Sequence, residues 1–155
     1  MLAMPKECAP TSVRVKTMHQ GEIEVPEGRI VTFVAPLLGF ERLTRFLIHQ
    51  PKPGPLYWLQ SVEEQKVVFC VLAPFQAGLD PDIQITPKDA IDIAAGGSGD
   101  IDVYTLVVLD RDPNQVRTNL RAPLLVGRTS GKAKQVVLDD PRLPIRCFLK
   151  DLRAG

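Results

Sequence analysis

The sequence predicts an all-β domain, mainly antiparallel, with one short helix. Its apolar runs are short and rich in Val and Ile, turn-forming residues separate them at regular intervals, and 14 prolines are spread along the 155 residues. The prolines disfavour long helices, and many short strands between turns build a sandwich or a barrel.

The predicted strands lie at Val13 to Val15, Ile23 to Val25, Ile30 to Val34, Phe46 to Ile48, Tyr57 to Ser61, Val67 to Leu72, Val103 to Leu109, Leu124 to Val126 and Gln135 to Leu138. Between them stand turn signals such as His19-Gln20-Gly21, Pro26-Glu27-Gly28, Pro51-Lys52-Pro53-Gly54-Pro55 and Asp110-Arg111-Asp112-Pro113-Asn114. Val67 to Leu72 is apolar on both faces, as a central strand is, whereas Glu22-Ile23-Glu24-Val25 alternates, as a strand with one wet face does. The helix is expected from Thr86 as N-cap and Pro87 at the first position, with Asp89 at the third, through Ala90 to Ala95, stopped by Gly96-Gly97. Residues 1 to 11 read as a loose N-terminal extension and residues 12 to 150 as one domain.

Composition excludes several function classes. The net charge is +1 and charges alternate along the chain rather than cluster, so nothing in bulk draws it to nucleic acid or to a membrane. The three cysteines, Cys8, Cys70 and Cys147, form no Cys-x-x-Cys pair, which fits reduced thiols better than a zinc or redox motif. The first residues have no apolar signal core. The longest uncharged run starts at Val67 and is broken by Pro74, well short of the roughly 20 residues of a spanning helix. A soluble, cytoplasmic protein is expected.

No catalytic or metal constellation stands out. Gly127, Gly131 and Lys132 suggest a phosphate loop, but only three residues separate the glycines and Ala133 replaces the required hydroxyl. The β-branched run after Lys132 makes this a hairpin turn. Asp80-Pro81-Asp82 and Asp100-Ile101-Asp102 do not continue into a calcium loop, and Gly96 to Gly99 lacks the strand-to-helix setting of a dinucleotide site. The two histidines, His19 and His49, read as surface or strand-end residues. No enzyme activity, metal or cofactor is expected.

Two features are more pointed. The only tryptophan, Trp58, follows a proline-rich turn, either as core or as an anchor for a partner. Strand alternation turns it to the face opposite Tyr57 and Leu59. The amides of Asn119 and Gln135 flank predicted strands, where they fix a turn or bond a partner's backbone.

Separated motifs occur in order: Gly39-Phe40-Glu41, Tyr57-Trp58-Leu59-Gln60-Ser61-Val62, Phe69-x-Val71-x-x-Pro74, Thr118-Asn119-Leu120-Arg121-Ala122-Pro123, Lys134-Gln135-Val136-Val137-Leu138 and Pro144-Ile145-Arg146. Over roughly residues 20 to 149 the sequence resembles the FliW family of bacterial flagellar assembly factors. It departs at Ala35-Pro36-Leu37-Leu38, where the family usually carries a glycine and then a proline, and at the Gly-rich stretch 96 to 99.

The resemblance implies a small β-barrel-like protein that binds flagellin in the cytoplasm in the manner of a chaperone. When free, such a protein binds and antagonises the translational repressor CsrA, so that flagellin synthesis follows flagellin export. It implies no cofactor, no direct nucleic acid and no membrane. Tyr57, Trp58, Gln60, Ser61, Asn119 and Gln135 are the candidate partner-binding residues, and Tyr57, Gln60, Asn119 and Gln135 are expected to lie near one another as the sheet closes. The competing reading is a small ligand-binding β-barrel of the flavin split-barrel type. A nucleic-acid-binding barrel would need a basic face with interleaved aromatics, which is not visible.

Overall fold

The computed structural model describes residues 11 to 153, apart from residues 38 and 51. The expected N-terminal extension lies outside the described residues, except for Thr11. Eleven strands and one α-helix form: β1 Ser12–Thr17, β2 Gly21–Pro26, β3 Ile30–Phe33, β4 Arg45–His49, β5 Leu56–Ser61, β6 Val68–Leu72, α1 Pro87–Asp92, β7 Ile101–Val108, β8 Arg117–Thr118, β9 Leu124–Gly127, β10 Lys132–Gln135 and β11 Cys147–Phe148.

Seven strands close into a barrel in the order β3-β4-β5-β6-β7-β9-β10. Six of the neighbouring pairs are antiparallel, and the parallel pairing of β10 with β3 completes the ring. Closure leaves these strands no open edge. Alternation sends Val31, Phe33, Phe46, Leu59, Val71, Leu124, Val126 and Ala133 inward as one core. Phe40, from the Gly-Phe-Glu step, joins it edge-on against Phe69, with ring centroids 5.1 Å apart. As expected for a central strand, β6 lies between β5 and β7.

The outward residues are covered by two separate elements. The β1–β2 hairpin, a sheet of its own, packs Val15 and Val25 on Leu47 and Ile30. On the far side Ile93, just past α1, clusters with Ile101, Leu125 and Val136. Lys134 faces outward from β10 between two inward residues, and its ammonium meets Asp89 Oδ1 at 2.8 Å and Asp92 Oδ2 at 2.9 Å, pinning α1 to the barrel.

The two-residue strands β8 and β11 were not expected, and two further elements differ in their bounds. The helix starts as read, with the Thr86 hydroxyl accepting the Asp89 N–H at 3.1 Å, but it ends at Asp92. Ala94 takes a left-handed φ of 51°, and Ala95 N–H bonds Ala90 O while Ala94 N–H bonds Ile91 O. This is a Schellman ending with alanine in the place usually held by glycine. The stop therefore precedes Gly96-Gly97. The second difference is β10, which runs from Lys132 to Gln135 instead of Gln135 to Leu138. Its partner β9 begins only after Pro123, so beyond Gln135 the ladder has no continuation. Val136 and Leu138 instead donate to the carbonyls of Pro123 and Arg121.

Candidate functional site

The motif strand β5 places its residues on two faces. Tyr57 and Leu59 point into the barrel, where Tyr57 meets Tyr104 edge-on at 5.5 Å and donates its hydroxyl to Gln76. Burial pushes the Tyr104 hydroxyl up to about 12. Trp58 points outward, as alternation requires. Gln60, also outward, is fully buried beneath the hairpin: its oxygen accepts Met18 N–H at 2.9 Å, and its amide nitrogen donates to the carbonyls of Gln65 and Ser61. Ser61 is buried, and its hydroxyl accepts the N–H groups of Glu63 and Glu64, fixing the turn into β6.

Asn119 and Gln135 belong to a second construction. Opposite Thr105 and Leu106 of β7 stand five residues, Asn119 to Pro123, which bulge out between β8 and β9. The Asn119 side-chain Oδ1 accepts Arg121 N–H at 2.9 Å, and the Gln135 side-chain amide donates to Ala122 O at 3.3 Å. The Arg121 guanidinium donates twice to Leu143 O, at 2.9 and 3.0 Å, tying the bulge to the C-terminal segment.

The six candidates therefore do not form one cluster. Gln135 pairs with Leu124, which pairs with Tyr104, the ring that touches Tyr57, so these two share the barrel interior. Trp58 and Gln60 share the outer face under the hairpin tip. Of the six, Trp58 and its neighbour Tyr57 line an open apolar surface.

That surface is a groove on the outside of β5 and β6, between the two covering elements. One depression of about 350 Å³ is lined by Trp58, Tyr57, Leu56, Cys70, Leu109 and the chain from Lys52 to Pro55. It adjoins a second of about 270 Å³, across Pro55 and Leu56, lined by Leu72, Ala77, Leu149 and Leu152. Leu56 and Leu109 remain 42% and 58% exposed. Among the described residues no carboxylate lines either depression, and Lys52 is the charged residue of the lining. Burial pushes the Cys70 thiol up to about 11, so it is protonated at neutral pH and a poor nucleophile. An apolar, carboxylate-free groove of this kind accepts the apolar side of a partner better than a reacting substrate. Sequence reasoning did not find Leu109, Leu149 and Leu152. They lie in a turn and near the C-terminus, far from Trp58 in the chain, and carry no periodic signal. Leu56 was missed too, although its place two residues before Trp58, on the same face of a strand, was a signal that could have found it.

The hairpin tip borders the groove. His19 stacks on Trp58 with centroids 4.3 Å apart and planes 28° from parallel. Behind it, His49 at the end of β4 is 6% exposed; its Nδ1 lies 2.9 Å from Gln20 Oε1, and its Nε2 has no hydrogen-bond partner among the described residues. Burial, with the nearby His19 and Arg29, holds its pKa below the ordinary value for histidine.

Among the described residues no three His, Cys, Asp or Glu side chains are grouped to hold a metal, and no helix is long and apolar enough to cross a membrane. Residues 14 to 149 match the family model described as FliW protein. The chain belongs to the FliW family. It is 34% identical over 135 residues to the flagellar assembly factor FliW of Caldicellulosiruptor saccharolyticus, covering 87% of this chain and 89% of that one. It is 32% identical over 139 residues to that of Ruminiclostridium cellulolyticum, covering 88% and 94%. The crystal structure of a flagellar assembly factor FliW superposes with a TM-score of 0.80 at 24% identity, covering 88% of this chain and 96% of the other, which shows the shared fold. A flavin-type split barrel is not favoured by these likenesses.

Proposed function

We propose that this protein is a flagellar assembly factor that works by binding other proteins, not by catalysis. It binds flagellin in the cytoplasm as a chaperone-like partner and, when free, binds CsrA and relieves its repression of flagellin synthesis. The observation that carries the reading is the FliW match across residues 14 to 149, supported by relatives called flagellar assembly factors. The groove at Trp58 adds a physical means, because an amphipathic helix lays its apolar side into such a surface. The near-neutral net charge of +1 suits protein partners better than direct RNA binding.

The test is calorimetry with the cognate flagellin, intact and lacking its terminal helices, followed by titration of CsrA into each mixture. Binding of intact flagellin alone, with CsrA competing, supports the reading. Equal binding of both flagellins rejects helix capture. No binding of either flagellin or CsrA rejects the function.

A further inference from the structure

The β1–β2 hairpin has the construction of a flap. It forms its own two-stranded sheet, with no ladder to the barrel. A lone two-stranded hairpin is marginal in water, so its order depends on what it packs against. Its body rests on the small cluster of Val15, Val25, Ile30 and Leu47. Its tip is held by few contacts: Met18 N–H to Gln60 Oε1 at 2.9 Å, Gln65 Nε2 to Thr17 O at 3.1 Å, Gln20 Oε1 to His49 Nδ1 at 2.9 Å, and the stack of His19 on Trp58.

Among the residues of these contacts His49 alone is a buried titratable ring, and its setting, not its bond to Gln20, favours the neutral form. Its ring lies beneath the tip, with Nδ1–H donating to Gln20 and Nε2 without a partner among the described residues. Protonation would place a second N–H on Nε2, where no acceptor waits, and a positive charge in a buried site. The titratable and charged groups facing it are His19 from the tip and Arg29 from the turn before β3, and both oppose that charge. No ion pair with a carboxylate is formed by His49 among the described residues.

We infer that the hairpin tip is a proton-released latch, in which neutral His49 holds the flap down over Trp58 and Gln60, and protonation lifts it. Lifting uncovers the Trp58 ring face and lengthens the apolar groove. That the groove then takes a partner rests on the proposed function, whereas the latch is a property of the isolated chain. The sign follows from the lowered pKa. The closed state excludes the proton and the open state takes it near pH 6.5, so closure is complete above that pH and weakens as pH falls below it.

The test is amide hydrogen exchange on the full chain between pH 8 and pH 5, with protection factors corrected for intrinsic exchange. Protection in β1 and β2 should fall by up to about tenfold per pH unit below pH 6.5, the limit for one proton, while β5 and β6 stay protected. His49→Gln should abolish the pH dependence. The emission of Trp58, the only tryptophan, should shift to the red over the same range in the unmodified protein. If hairpin and barrel amides lose protection together, the event is global unfolding and the latch is overturned. A pH dependence that persists in His49→Gln also overturns it, as does an unmodified hairpin that stays protected throughout. Should His49→Gln not fold, titration of the His49 ring resonances decides: an ordinary histidine pKa with no change in the hairpin rejects the inference. None of these outcomes depends on flagellin or CsrA, so failure here leaves the proposed function standing.

Discussion

The side-chain oxygen of Gln60 accepts the backbone N–H of Met18 at 2.9 Å, joining β5 to a hairpin tip 42 residues earlier. Gln60 is 0% exposed, and its amide nitrogen is satisfied by Gln65 O and Ser61 O. Gln60→Leu keeps the volume and strips every side-chain bond, leaving the Met18 N–H without its acceptor and the carbonyls without this donor. It should cost about 1–3 kcal/mol in urea unfolding and loosen the hairpin first. A loss under about 0.5 kcal/mol, the scale of a neutral surface change, would show that the amide is not holding the tip.

Gly127 ends β9 where the chain after α1 presses on it. A methyl group there would meet Ser130 Oγ and stand 2.7 Å from Ile93 O, which itself accepts the Ser130 hydroxyl. The Ile93 carbonyl is backbone and cannot swing away. Gly127→Ala should therefore destabilise by about 1–3 kcal/mol, as overpacking does. Thermal melts would check this, and an unchanged midpoint would mean that the helix-to-barrel contact is looser than described.

Ala94 offers the opposite case. Its φ of 51° is the left-handed position of the helix ending, where a Cβ is penalised. Ala94→Gly removes the penalty while giving the unfolded chain more freedom, so the net gain should be about 0.5–1 kcal/mol. A measured loss on chemical denaturation would place Ala94 in an ordinary backbone region.

These three positions also show what the sequence could convey. The longer strands, the Thr86 cap and the 127–132 turn were legible because they rest on period, capping chemistry and glycine, all local signals; the two-residue β8 and β11 are too short to carry a period. The early helix stop was not, because an alanine occupies the position that glycine marks. The shortened β10 was not, because Val136 to Leu138 has the composition of a strand and loses its ladder only when Asn119 to Pro123 bulges away. At the site, Trp58 was legible as an unusual residue but not its setting. The groove is assembled from Leu56, Leu109, Leu149 and Leu152, which closure of the sheet and the return of the C-terminal segment bring together. His49 read as a strand end, and its burial depends on a hairpin tip that only folding places over it.

The last prediction separates scaffold from contact surface. Trp58 is half-buried: it is stacked beneath His19 and open to the groove. Trp58→Ala should cost less than the roughly 3–5 kcal/mol of a fully buried tryptophan, leaving a folded protein. It should weaken flagellin binding by about 2 kcal/mol or more, the mark of an aromatic anchor. The Asn119 side-chain Oδ1 and the Gln135 side-chain amide bond backbone groups of the bulge. Asn119→Ala and Gln135→Ala should each lower stability by about 1 kcal/mol and leave the affinity of the folded protein unchanged. Melting curves and calorimetric titrations on the three variants would decide. Should the amide variants bind weakly while melting normally, the bulge is itself a contact surface. If Trp58→Ala binds flagellin as tightly as the unmodified chain, the groove is not where flagellin sits.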